Sequence, residues 1–214
     1  MIKALALAAA AALMLGACST SPPEHFYTLS GGVSDMQPAK PVQYYVEVLA
    51  VSVPQQVNRK QFVVTSTSGR IELREQQRWA GPLDGEIGQS LSTAVTANLG
   101  AIDVFRTPYP DKLPVYRIST NVLRFESVMD SHALIDAVWS VRQLSSNQVV
   151  TCRTVASEKV GAGYDELVLG HRRAVQKIAG DMAQVVRGFG SASGACPITQ
   201  ATTQTSDQTS AQAN

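Results

Sequence analysis

The order of strand-like and helix-like segments constrains the fold of this 214-residue chain more than any other feature. Seven segments either are rich in β-branched and aromatic residues or alternate apolar with polar side chains, which is typical of strands. They are residues 44–53, 62–67, 70–76, 104–105, 116–126, 133–144 and 149–157. The alternation in the long segments favours a sheet that buries one face.

Two further segments repeat apolar residues at helical spacing. The first runs from Leu83 to Leu99, after Gly81-Pro82 and before Gly100, which are typical start and stop signals. The second runs from about Asp165 to Phe189. We therefore predict a single two-layer α+β domain, with a mixed, largely antiparallel sheet and two helices packed on one face.

The predicted domain spans residues 42–189. Residues 18–41 contain several Pro and Gly residues with little periodicity, so we predict a tether there, within which residues 25–29 add a short edge strand. Residues 190–214 consist mainly of Ser, Thr, Gln, Ala and Gly, a composition that cannot bury enough apolar surface to fold. We predict a disordered tail at this end.

The N-terminal residues have the pattern of an export signal. A single early Lys3 precedes an apolar run, and the sequence Leu15-Gly16-Ala17-Cys18 follows it. This sequence resembles the bacterial lipobox, in which the cysteine is acylated before cleavage. We predict that residues 1–17 are a lipoprotein signal peptide and that Cys18 is the lipidated first residue of the mature chain.

Acyl chains on Cys18 would anchor the protein without a transmembrane helix, since each buried methylene contributes about 0.8 kcal/mol. The next residue is Ser19, whereas the enterobacterial signal for retention in the inner membrane is Asp at that position. We therefore expect the protein at the outer membrane, facing the periplasm.

Cys152 and Cys196 are the cysteines that remain after lipidation. The periplasm is oxidising, and a bridge between them would close a loop of about 45 residues, contributing roughly 4 kcal/mol in the chain-entropy model. The alternative is two unpaired thiols, one buried and one on the tail.

Composition and motifs argue against several functions. A net charge of +1 provides no field for a nucleic-acid backbone. His25, His132 and His171 share no metal-ligand spacing, and neither nucleophile nor nucleotide motifs occur. The sequence predicts no metal, no cofactor and no enzymatic activity.

Segments 62–67 and 70–76 flank Ser68-Gly69, a two-residue turn signal, and so predict a hairpin. Arg78 and Trp79 stand between this hairpin and the first helix, and Arg59 stands in the segment that enters the hairpin. Trp and Arg are frequent anchors of protein interfaces, so these three residues are candidates for a partner contact. A structural role, with Trp79 covering the edge of the core and Arg78 pairing with carbonyls or a carboxylate, is the alternative.

Several of these motifs occur in one order that resembles a known family. Together, the lipobox, Val53-Pro54, Asn58-Arg59-x-Gln61-x-Val63 and Arg78-Trp79-Ala80-x-Pro82-Leu83 are similar to the auxiliary lipoproteins of ABC-type transport systems, of the paraquat-inducible type. The later Phe125-Glu126 and Trp139 strands and the long final helix follow in the same order.

The resemblance implies a non-enzymatic role in lipid traffic between the two membranes. Members of the family work beside MCE-domain proteins, which form conduits across the periplasm, and beside their ABC and permease subunits. By this resemblance the protein would dock such a conduit at the outer membrane, support envelope integrity and self-associate. The alternative is a stand-alone periplasmic lipoprotein that binds a lipid or another apolar ligand between its sheet and helices.

Overall fold

The computed structural model of the chain describes residues 22–31, 42–66, 68–191 and 194–197. The predicted signal peptide, Cys18 and nearly all of the predicted tail lie outside these residues. Within the described part, the chain forms strands β1 His25–Tyr27, β2 Tyr45–Val48, β3 Gln61–Thr65, β4 Ile71–Trp79, β5 Ile102–Asp103, β6 Val115–Val128, β7 His132–Gln143 and β8 Val149–Lys159, and helices α1 Leu83–Leu99 and α2 Tyr164–Arg187. Helix α1 follows β4, and α2 follows β8.

The strands form two mixed sheets. One has the order β1-β4-β3 and the other the order β5-β2-β6-β7-β8. In each sheet both parallel and antiparallel neighbours occur. The predicted α+β class with two helices is confirmed, but the strands divide between two sheets where we expected one. The division arises because β4 pairs with β1 and β3, and neither β3 nor β4 pairs with β2 or β6.

The five-stranded sheet buries one face against both helices. Ile135, Ala137, Trp139 and Val141 alternate along β7 and are all buried, as the sequence pattern predicts. The opposite face carries paired charges: Arg153 donates to Asp136 at 2.9 and 2.7 Å. One face of this sheet therefore lines the core, and the other face carries no helix.

Each helix has a glycine with a structural role. Gly100 ends α1 in the left-handed region, with φ of 61°, and its N–H donates to the carbonyl of Thr96. Gly170 lies where α2 approaches the sheet so closely that a Cβ would collide with Val160 and Ala133. The second glycine lets a long helix pack directly on the strands.

The three-stranded sheet packs at the N-terminal end of α2. Tyr27 of β1 and Tyr164 of α2 both contact Phe62 of β3, with ring centroids 5.9 and 5.6 Å apart. Leu29, just after β1, is 1% exposed, and its N–H donates to Glu86 of α1. Of the predicted edge strand at residues 25–29, residues 25–27 form β1, and the whole segment packs on the folded domain.

Candidate functional site

Trp79 lies in the core and not on the surface. Its side chain is 1% exposed and stacks on Phe62, with ring centroids 4.5 Å apart. Phe125 and His171 meet it edge-on, at 6.1 and 6.3 Å. These four side chains, which we call the aromatic cluster, join the three-stranded sheet to β6 and α2. A partner contact through Trp79 is therefore wrong for this folded state.

The two candidate arginines are partly buried beside the cluster. Arg78 donates from Nε to the carbonyl of Glu75 and pairs with the carboxylate of Glu24 at 3.2 Å. Arg59 lies in the loop before β3, and its Nε is buried without a hydrogen-bond partner among the described residues. The chain brings the three candidates close together, since the N–H of Trp79 donates to the carbonyl of Lys60. They form a structural junction and not one exposed surface.

His171 is fully buried in the aromatic cluster. It stacks on Phe125 with ring centroids 3.9 Å apart, and its Nε2 lies 2.8 Å from the hydroxyl of Ser127. Burial, with a smaller contribution from His132, lowers the pKa of His171 to about 3, so the ring is neutral at neutral pH. The Ser–His contact is enclosed by the core and has no access for a substrate.

Cys152 and Cys196 are joined by a disulfide in the structure, with Cα atoms 5.5 Å apart. Cys152 is a buried residue of β8 and Cys196 belongs to the described segment 194–197. The C-terminal end of the described chain is thereby fixed to the outer strand of the five-stranded sheet.

An open groove of about 540 Å³, here called the β2 groove, lies beside β2. Residues 48–51 form one wall, α1 forms the second through Gly85, Gly88 and Ser92, and residues around Phe105 form the third. A Cβ on Gly85 would meet nothing within 4 Å, and one on Gly88 would meet only Val51, at 3.6 Å. The groove exists because α1 has no side chains at these two positions.

The wall of the β2 groove formed by residues 48–51 is backbone at the end of β2 that is incompletely paired. On the side away from the groove, the N–H of Leu49 donates to the carbonyl of Ile118 in β6. On the groove side, the N–H of Val48 donates to the carboxylate of Asp103, which takes the place of a strand partner. Ala50 follows and makes no hydrogen bond with the described residues. An extended peptide can pair with such an edge.

Asp103 also fixes the neighbouring wall of the groove. Its carboxylate accepts hydrogen bonds from the hydroxyl of Ser92 at 2.6 Å and from the N–H of Phe105 at 3.0 Å. Phe105 is exposed at the rim, and the guanidinium of Arg106 lies 5.9 Å from its ring centroid. The groove therefore combines a rigid polar side with an exposed aromatic and cationic rim.

Sequence reasoning missed this groove because it followed the apolar stripe of α1. The signal that would have found it is the pair Gly85 and Gly88 on the opposite, polar face. No cluster of three or more metal-ligating side chains occurs in the part of the chain that the structure describes. No helix there is both long and apolar enough to cross a membrane.

Comparisons with known proteins give a consistent result. Residues 27–183 match the model of the family described as ABC-type transport auxiliary lipoprotein component. No curated protein matches the sequence significantly. A solved structure of an uncharacterized protein aligns over 77% of this chain and 99% of its own, with 17% identity and a TM-score of 0.61. A DUF330 protein from Xanthomonas campestris aligns over 74% and 92%, with 16% identity and a TM-score of 0.55.

Proposed function

Because the chain belongs to the ABC-type transport auxiliary lipoprotein family, we propose that it is the auxiliary subunit of an MCE-type system that moves lipid between membranes. On this proposal Cys18 holds the protein in the periplasmic leaflet of the outer membrane, in keeping with Ser19 after it. The folded domain docks the MCE-domain conduit protein, whose ABC and permease subunits lie in the inner membrane. This role requires no catalysis by the auxiliary subunit.

The β2 groove is the observation that supports docking. It has a wall of backbone at residues 48–51, directly after β2, in which Ala50 is exposed, and a helix wall without side chains at Gly85 and Gly88. An extended segment of the conduit protein can hydrogen-bond to this backbone, and Phe105 and Arg106 at the rim can contact its side chains.

Lipid binding by the domain alone has less support. That alternative needs a cavity between the apolar stripes of the two helices. Ile87 and Leu91 of α1 and Val175 and Ile178 of α2 are instead buried in one continuous core. Lipid that copurifies with the protein in the absence of any conduit protein would favour this alternative.

Self-association belongs to the same proposal. The outer edge of β8 is eleven residues long and carries no further strand among the described residues. A second copy can pair with an edge of this kind. The disulfide of Cys152 positions segment 194–197 beside β8 and would limit which part of the edge remains free.

The proposal is tested by affinity capture of the mature lipoprotein from solubilised envelopes, followed by mass spectrometry of proteins and lipids. We expect an MCE-domain protein to be captured. Gly85→Leu adds an apolar side chain to the groove wall, and its Cβ would meet nothing within 4 Å in the domain. It should lose the capture.

Gly180→Leu is the matched control. Gly180 is also a helical glycine whose Cβ would meet nothing within 4 Å, but it lies in α2, away from the groove. Equal loss of capture in both variants, or capture by neither variant nor the parent, would contradict docking through the groove.

A further inference from the structure

Three large apolar side chains are exposed on one face of the three-stranded sheet. Leu73 and Ile71 pair with Val63 and Thr65 and so lie on the face opposite Phe62. Phe26 lies on that same face, because its neighbour Tyr27 packs on the Phe62 side. Phe26 is 62% exposed, Ile71 47% and Leu73 44%. We call these three residues the apolar face of the three-stranded sheet.

The charged side chains of the hairpin lie mainly on the other side of this sheet. Arg74 pairs with Phe62 across the hairpin and therefore lies on the Phe62 side. The guanidinium groups of Arg70 and Arg74 both pair with the carboxylate of Glu72, at 2.9 and 2.7 Å. The apolar face is thus separate from these charges, and exposed apolar side chains that lie together are typical of a contact with a membrane or another protein.

The distance along the chain places this sheet nearest to the lipid anchor. Six residues lie between Cys18 and His25, the first residue of β1, so seven Cα–Cα steps join the two. Even a fully extended chain of that length spans at most about 25 Å. Helix α2 has 24 residues, so the far end of the domain lies about 36 Å from the end that contacts the three-stranded sheet. The anchor therefore restricts which part of the domain can reach the membrane.

We propose that the apolar face of the three-stranded sheet rests on the phospholipid headgroup layer of the membrane that holds Cys18. Phe26, Ile71 and Leu73 then lie at the level of the headgroups. The inference rests on the proposed lipidation of Cys18. It adds an orientation of the domain relative to the bilayer, which docking through the β2 groove does not require.

The experiment measures the depth of single positions in the full mature lipoprotein. Phe26→Cys and Leu73→Cys, each labelled with an environment-sensitive fluorophore, are reconstituted in vesicles of phosphatidylethanolamine and phosphatidylglycerol that contain a quencher on lipid headgroups. Ser145→Cys is the control. This exposed position lies in the β7–β8 turn, at the end of the five-stranded sheet that is far from the three-stranded sheet. We expect strong quenching at residues 26 and 73 and little at residue 145.

Equal quenching at all three positions, or stronger quenching at residue 145, overturns the proposed orientation. A protein that does not float with the vesicles overturns the anchoring on which it rests. Capture of a conduit protein is measured separately, so the orientation and the proposed function can fail independently.

Discussion

The aromatic cluster and the β2 groove include residues that lie close together in sequence, but they differ in burial and in packing. Trp79 and Gly85 are six residues apart, on either side of the start of α1. Rings from three other elements close the space around Trp79, whereas the lack of side chains at Gly85 and Gly88 leaves the groove open. The Arg78-Trp79 motif is thus structural, and the accessible β2 groove is formed by residues that match no functional motif in the sequence.

The largest expected effect is a loss of stability from Trp79→Ala. Truncating this buried ring removes its contacts with Phe62 and Phe125 and should lower the free energy of unfolding by about 3–5 kcal/mol. Arg78→Ala removes partly exposed ion pairs and should cost about 1 kcal/mol or less. Urea denaturation followed by circular dichroism measures both. If Trp79→Ala keeps its stability but loses a partner, Trp79 belongs to an interface after all.

The disulfide gives the next prediction. Replacing Cys152 and Cys196 together by Ser opens a loop whose ends are 44 positions apart, which costs about 4 kcal/mol in the chain-entropy model. The comparison is denaturation of the oxidised parent and the double variant. Unchanged stability, together with two free thiols in the periplasmic protein, would show that the bridge does not form.

The pH dependence of stability reports on the closed state of the aromatic cluster. His171 has a pKa of about 3 in the folded protein against an ordinary value of 6.5, so the unfolded chain binds the proton more readily. The free energy of unfolding therefore has its full value above pH 6.5 and decreases as the pH falls towards 3. The equilibrium constant for folding decreases about tenfold per pH unit in this range. Denaturation between pH 7 and 4 measures this slope.

Two histidine variants identify the group that causes the pH dependence. His171→Gln should abolish the slope between pH 6.5 and 4, whereas His132→Gln should retain most of it. Hydrogen bonds from Arg153 lower the pKa of Asp136 below 3.8. The stability that ionised Asp136 contributes is therefore lost only as the pH falls further below that value. A flat profile in the parent protein would mean that His171 reaches solvent.

The smallest expected effect concerns the groove. Gly88→Ala should raise the free energy of unfolding by up to about 1 kcal/mol, because alanine favours a helix and its Cβ would make an ordinary contact with Val51. Thermal denaturation measures the change. A clear destabilisation would mean that Val51 lies closer to α1 than the 3.6 Å contact indicates.

Local patterns predicted much of the fold. The hairpin around Gly69, the helix end at Gly100 and the buried stripe of β7 all depend on neighbouring residues, and the structure has them. The division into two sheets depends on β1 pairing with β4, across some fifty residues. A register shift between Gln61 and Phe62 further hides the pairing of β3 from any local pattern.

The candidate site was harder to predict for the same reason. The burial of Trp79 requires Phe62, Phe125 and His171 to converge from three distant segments, so the sequence left both roles open for it. The β2 groove depends on Asp103 reaching Val48 and on two glycines facing that edge. No spacing rule connects these residues before the chain is folded.

Site-specific photo-crosslinking in cells tests the central claim most directly. A photoreactive residue at Phe105, on the rim of the groove, is compared with one at Leu169 on α2; the two positions are 40% and 41% exposed. We predict that the probe at Phe105 crosslinks to an MCE-domain protein and that the probe at Leu169 does not. Crosslinking to that protein from Leu169 alone, or from both positions equally, would contradict docking through the β2 groove.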